Sequence, residues 1–329
     1  MHSAASAIVA AVQQDALRPA GAQAEHILRL WHGTLALCAL VFVLVVAAVA
    51  VALWRAPRAS AQSAPDLAPL DAVEAGPRQT VWWALLLSAI GLAGLLWADV
   101  RTSSALAQLP AEGALRITLT GKQWWWHAEY DDPLTGARFI TANELHLPVG
   151  RAAIVTLRSD DVIHTLWVPN LHGKKDMLPG RVTEIRLRAD QPGVYRGQCA
   201  EFCGQQHTLM VLLVTAESPQ QYQAWAAGQA QPALAPDGLA QRGQQVFGEQ
   251  RCAGCHSIRG TGARGTAGPD LTHLASRSTL AAGTLPNTRG HLGGWIVDAP
   301  SLKPGTQMPP SPMPPADLHA LLAYLEALK

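Results

Sequence analysis

Residues 199–210 read Cys199-Ala-Glu-Phe-Cys203-Gly-Gln-Gln-His207-Thr-Leu-Met210. Two cysteines, a histidine and a methionine on one short stretch place thiolate, imidazole and thioether donors within reach of each other. Such a soft set favours copper over hard cations. Zinc normally takes four Cys or His ligands and leaves a methionine unused. Two thiolates with so few imidazoles nearby also raise the sharing of both sulfurs between two metal ions. A disulfide between Cys199 and Cys203, or a zinc turn, are the alternatives; neither explains Met210 and the histidine spacing together. Further ligands must come from elsewhere in the chain.

The stretch runs into an apolar segment, Met210-Val-Leu-Leu-Val214, with the character of a strand. Leu115–Thr120, Ala153–Arg158 and Glu184–Arg188 share it, separated by turn signals at Pro148-Val-Gly150, Pro179-Gly180 and Pro192-Gly193. Short strands at this spacing predict a β-sandwich or Greek-key barrel over residues 101–218, with the metal loop leading into the last strand. Within it, Asp161-Val-Ile-His164 follows a strand and supplies the histidine best placed to complete the site. His127, His146 and His172 are its rivals, and read as solvated or structural.

Residues 219–236 are rich in Gln, Ala and Pro and read as a linker. Beyond it, in residues 237–329, Arg251-Cys252-Ala-Gly-Cys255-His256 is the attachment pattern of c-type haem. Both thiols add to the vinyl groups, and His256 becomes the proximal iron ligand. Lys303-Pro-Gly-Thr-Gln-Met308-Pro-Pro offers a methionine as the opposite ligand, with Met313 as its rival. Met/His ligation raises the iron potential. Leu318, Leu321, Leu322, Leu325 and Leu328 then recur at helical spacing.

Toward the N-terminus, Thr34–Trp54 and Val81–Ala98 are apolar runs long enough, or nearly so, to cross a bilayer, and tryptophans flank them. Residues 31–100 therefore predict a transmembrane hairpin. Gly91 and Gly94 are suited to close helix packing. Arg55, Arg58 and Arg78 on the connecting loop place that loop in the cytoplasm and both termini outside. Residues 1–30 hold a weakly apolar segment and a small-residue run, Pro19–Ala24, as a remnant export signal would. Cys38 reads as a small buried hydrophobe. A net charge of +1 gives no field that would attract nucleic acid.

Taken together, these residues resemble subunit II of haem–copper cytochrome c oxidases, of the caa3 type with a fused C-terminal cytochrome c domain. The resemblance is carried by Cys-x-Glu-x-Cys-Gly-x-x-His-x-x-Met and by Gly121-Lys-Gln-Trp-Trp-Trp-His-Ala-Glu-Tyr130. Asp176–Arg181 and Gly268–Arg277 also match. It implies a membrane hairpin, a cupredoxin-like Greek-key sandwich and an all-α cytochrome c domain. It implies a binuclear CuA centre bridged by Cys199 and Cys203, bound by His164 and His207, and completed by Met210 and the Glu201 carbonyl. The Glu201 side chain would face a magnesium ion shared with subunit I, and Trp124 would be the aromatic through which electrons reach CuA. Glu74 is the nearest counterpart of an acidic residue that assists proton uptake. The implied partners are oxidase subunits I and III, a soluble cytochrome c or similar donor, and the lipid bilayer of a bacterial inner membrane. The implied activity is that of a proton-translocating oxidoreductase reducing oxygen to water. The electron-input subunit of a CuA-containing nitric oxide reductase is the nearest alternative, and a membrane-anchored copper-delivery protein a more distant one.

Overall fold

The structure is a computed structural model and describes residues 12–56 and 75–329. Glu74 lies outside the described residues. Helices α1 (Ala22–Arg55) and α2 (Ala75–Leu106) are 34 and 32 residues long, rods of roughly 50 Å at about 1.5 Å rise per residue. That exceeds the thickness of a bilayer core, and both are apolar enough to cross a membrane. Their leucines, valines and tryptophans are exposed along almost the whole length, a surface that water would penalise and lipid would not. Gly91 comes near Leu37 of α1, whereas Gly94 faces open space. Cys38 is exposed on α1, not buried: the run around it is apolar because of its surroundings, not because it enters a protein core.

The chain divides into two compact units. One is His26–Leu106; the other joins the N-terminal residues through Glu25 with Ala107–Lys329. Residues 13–24 are therefore part of the second unit. Gln13 donates its amide to Val194 O at 2.8 Å and accepts from Arg196, while Ala20 donates to Asn170 O at 2.7 Å. Ala20, Gln23 and Ala24 are buried. The small residues of Pro19–Ala24, which resembled part of a removable signal, pack the chain closely against the strand domain.

That domain contains ten strands: β1 (Leu115–Lys122), β2 (Trp125–Asp131), β3 (Arg138–Ala142), β4 (Glu144–Pro148), β5 (Ala153–Ser159), β6 (His164–Trp167), β7 (Lys175–Met177), β8 (Thr183–Leu187), β9 (Gly193–Cys199) and β10 (Val211–Glu217). They form two five-stranded sheets in the orders β3-β2-β1-β5-β8 and β4-β10-β9-β6-β7. Alternation in β1 and β5 sends Leu115, Ile117, Leu119, Val155 and Leu157 into one shared core. β10 breaks the alternation with four consecutive buried residues, because further chain covers its outer face.

Residues 219–236 depart from the expected linker. Pro219–Ala230 form helix α3, started by a capping box in which Ser218 and Gln221 exchange hydrogen bonds. Trp225 stacks on the His146 ring at 3.9 Å and packs edge-on to Phe139 and Tyr130. The polar composition masked one inward face, made by Tyr222, Trp225, Ala226 and Gln229.

The C-terminal region is helical. α4 (Gly238–Glu249), α5 (Arg289–Val297), the short α6 (Ala299–Leu302) and α7 (Pro315–Ala327) surround their own apolar core, with a two-stranded ribbon of β11 (Thr279–Leu280) and β12 (Leu285–Pro286). Phe247 of α4 meets Tyr324 of α7 edge-on at 6.0 Å.

Candidate metal centre and haem site

β9 ends at Cys199, and the chain loops through Cys203 into a 3-10 turn, His207–Leu209, whose last residue is followed by Met210 and then by β10. Antiparallel pairing sets Leu166 of β6 opposite Cys199, which brings the start of β6, and with it His164, to the same end of the sheet. His164 Nδ1 lies 3.8 Å from Cys199 Sγ. The nearest donor atoms of His164, Cys199 and Cys203 all fall within 4.8 Å of one another, and all three residues are buried. Cys203 Sγ lies 3.7 Å from His207 Nδ1 and 4.0 Å from Met210 Sδ. The Glu201 carbonyl lies 3.2 Å from Cys199 Sγ, while the Glu201 side chain is exposed. All six residues expected from the sequence thus meet in one place. All five cysteines are free, so Cys199 and Cys203 form no disulfide.

The other histidines have different surroundings. His146 pairs with Glu217 at 2.8 Å beneath Trp225, and His127 pairs with Glu129. Gly121 shows why the Gly-x-Gln-Trp motif begins as it does: a Cβ there would lie 2.8 Å from the His164 ring.

Charge at the site is shared between neighbours. The Cys203 thiol donates to Cys199, which holds Cys199 well below the usual thiol range against the opposing effect of burial, with His164 assisting. The same contact, together with burial, holds the Cys203 thiol well above the usual thiol range. Burial works to lower His164, but hydrogen bonds to Cys199 and Asp161 outweigh it and hold the imidazole above its ordinary value. Asp161 was not expected from the sequence. Its Oδ1 accepts from His164 Nε2 at 2.7 Å, and its Oδ2 accepts the Gln123 amide at 2.6 Å. That contact keeps a proton on Nε2 and turns Nδ1 toward the sulfurs, as ligand histidines require.

A second site lies in the helical region. His256 Nδ1 donates to Pro269 O at 2.8 Å, leaving Nε2 free. A Cβ on Gly268 would lie 2.6 Å from the His256 ring, so only glycine lets this loop support the imidazole. A cavity of about 260 Å³ opens beside Cys252, Cys255 and His256, and Met308 stands on its wall. Met313 packs instead against the apolar core of the helices. Two thiols, a free imidazole nitrogen and a thioether on one cavity are the donor set that a covalent haem requires.

Trp124 stands between the two sites. Its indole N–H donates to the Cys203 carbonyl at 3.0 Å, and its side chain also lines the cavity that Met308 shares. Lys303, unremarked in the sequence, lies buried beside it.

The family described as "Cytochrome C oxidase subunit II, periplasmic domain" matches residues 134–217, which span His164 to Met210. The family "Cytochrome c" matches residues 240–329, which span Cys252 to Met308. "Cytochrome c oxidase subunit 2" of Artemia franciscana is 32% identical over 165 residues, 45% of this chain and 71% of its own length. The chain belongs to the cytochrome c oxidase subunit 2 family. "Cytochrome c oxidase subunit 2" of Alkalihalophilus pseudofirmus is 40% identical over 220 residues, 66% of this chain and 62% of its own. That of Bacillus subtilis is 30% identical over 230 residues, 67% and 64% respectively. The chain thus spans just under two thirds of these two subunit 2 relatives. Within the subunit 2 family match lie all six residues of the copper-type site, while Trp124 precedes it.

Proposed function

We propose that this chain is the electron-input subunit of a respiratory haem–copper oxidase. In this reading it accepts electrons from a cytochrome c-type donor and passes them through its own haem and a binuclear CuA centre to haem in subunit I, where oxygen is reduced to water. The observation that carries the proposal is the placing of two sites of distinct donor chemistry on either side of one indole, Trp124. A membrane-anchored copper-delivery protein has no use for such an arrangement. The bound metals would supply one-electron redox chemistry; the chain's own residues do the rest.

Cys199 and Cys203 would bridge the copper pair, His164 and His207 would each hold one copper, and Met210 and the Glu201 carbonyl would complete the set. Asp161 fixes the ring of His164, and Pro269 O fixes that of His256, so neither ligand has to reorient on a change of charge. Burial of Cys199, Cys203 and Met210 excludes water from the copper site. Cys252 and Cys255 would hold the haem covalently, with His256 and Met308 on the iron. Trp124 bonds to a ligand residue at one end and lines the haem cavity at the other, as an electron conduit should. The exposed Glu201 carboxylate is free to meet a magnesium ion at the junction with subunit I.

Helices α1 and α2 would anchor the chain in the bacterial inner membrane beside subunits I and III. Residues 13–24 and 107–329 belong to one unit, so the start of α1 and the end of α2 join the same folded body. This supports a hairpin with both termini and both redox sites on the periplasmic face. Electron paramagnetic resonance of the purified, copper-loaded chain tests the reading. A mixed-valence pair gives a seven-line copper hyperfine pattern, whereas a four-line pattern from a single copper refutes it.

A further inference from the structure

Pro232 to Asp237, the segment without helix between α3 and α4, invites the idea of a tethered cytochrome that swings. Its neighbourhood argues otherwise. Lys303 is 3% exposed, and its ammonium donates to three main-chain carbonyls: Trp124 at 2.9 Å, Leu209 at 2.8 Å and Ala281 at 2.9 Å. Trp124 and Leu209 belong to the copper domain; Ala281 and Lys303 belong to the cytochrome. Three N–H donors meet three acceptors, so the ammonium is saturated across the boundary. Burial pushes this lysine down to about 7, against the pull of Cys203. A lysine that only balanced surface charge would gain nothing by leaving water.

The contacts around it run the same way. Gln206 Nε2 donates to Pro304 O at 2.6 Å, and the Val211 amide donates to Ala282 O at 3.1 Å. At Gly305 a Cβ would lie 2.6 Å from Gln205 Oε1 and 3.2 Å from the Trp124 ring, so the loop lies directly on the indole. Glu144 of the copper domain and Arg277 of the cytochrome, both buried, act on one another's charge across the same boundary. The seam joins the loop that ends in Met210 to the loop that carries Met308.

We propose that Lys303 is a positioning residue that latches the cytochrome domain onto the copper-binding loop in one fixed arrangement, closing the Trp124 face to soluble donors. External donors must then approach the cytochrome domain's outer surface. This rests on the function proposed above.

The test uses the full chain, loaded with copper and haem, as wild type and as Lys303→Met, which keeps the stem and removes the donors. Hydrogen exchange is read at the Val211 amide and across residues 203–213 and 279–285. Direct reduction of the copper centre by free reduced cytochrome c is read in the same samples. The latch predicts at least tenfold faster exchange in the variant at these segments alone, with both metal spectra retained. It also predicts direct copper reduction in the variant that the wild type does not show. Unchanged exchange and unchanged donor access overturn the proposal. Should Lys303→Met not fold, Lys303→Gln replaces it: its amide sits on a stem too short to reach all three carbonyls, so exchange at the same segments should again quicken, and unchanged exchange there overturns the proposal equally. A chain that folds but fails to give the two spectra refutes the functional reading, while the exchange comparison still decides the latch.

Discussion

Asp161→Asn isolates the one contact that decides which nitrogen of His164 faces the sulfurs. The carboxylate accepts from three donors: His164 Nε2 and the Val162 amide on Oδ1, and the Gln123 amide on Oδ2. Asparagine offers one oxygen and one NH2 group in the same space. If its oxygen faces His164, the NH2 opposes the Gln123 N–H and leaves that donor orphaned. If it is flipped, the NH2 faces Nε2, and the imidazole proton is driven to Nδ1, the nitrogen that should bind metal. Removing such a supporting partner typically lowers metal affinity 10- to 100-fold, about 1.4–2.7 kcal/mol. The Asp161 side chain is 26% exposed, so water can replace part of what is lost, and the lower end is expected. The apo chain should lose about 1 kcal/mol of stability for the unpaired donor.

Copper affinity is measured by chelator competition on the purified full chain. Asp160→Asn serves as the control, since it removes an equal charge at the next residue but is bonded to Lys122 at 2.9 Å. An affinity within twofold of wild type for Asp161→Asn, with the fold intact, would refute the claim that Asp161 orients the ligand.

Met308→Leu should lower the haem potential sharply while Met313→Leu leaves it nearly unchanged; redox titration that reverses this order moves the ligand to Met313. Copper must displace protons held by Cys203 and His164, both raised, so its apparent affinity should climb with pH between 6 and 8, by up to about tenfold per unit for each proton released. A flat profile refutes the assigned protonation. Trp225→Ala should cost about 2–3 kcal/mol, below the roughly 3–5 kcal/mol of a fully buried tryptophan because Trp225 is half-buried, and should free α3 to proteolysis. Burial holds His172 down to about 4, so between that value and its unfolded 6.5 the unfolded chain binds more protons. Stability should therefore fall as pH drops from 6.5 to 4, by at most about 3 kcal/mol, and His172→Asn should flatten that limb in acid unfolding curves.

Legibility from sequence followed the range of the forces involved. Cys199 to Met210 and Cys252 to His256 could be read because their chemistry demands fixed spacing along the chain. The strands β1, β5, β8 and β10 could be read because one face of each, or both, is apolar. β6 could not be told from a loop, since its four residues gain their meaning only from pairing with β9. α3 was hidden in the same way. Its polar composition suggested a linker, yet four residues at helical spacing find a ready-made face on His146, Phe139 and Tyr130. Such a helix is stabilised by its partner more than by its own sequence.

Asp161 and Lys303 escaped for a sharper reason. Each works through main-chain groups or a side chain that only the completed fold brings near, and neither type is distinctive where it stands. An aspartate before a strand and a lysine before Pro-Gly are ordinary surface residues until burial is known. In Lys303 the signal is the conflict itself: an ammonium out of water is costly unless every proton has an acceptor. All three acceptors are present, and two of them lie about 90 or more residues away in another domain. Contacts of that kind carry no local pattern, because carbonyl acceptors are the same at every residue. The motifs say which metals a subunit 2 chain can hold; the buried lysine says how the two holders are kept in register.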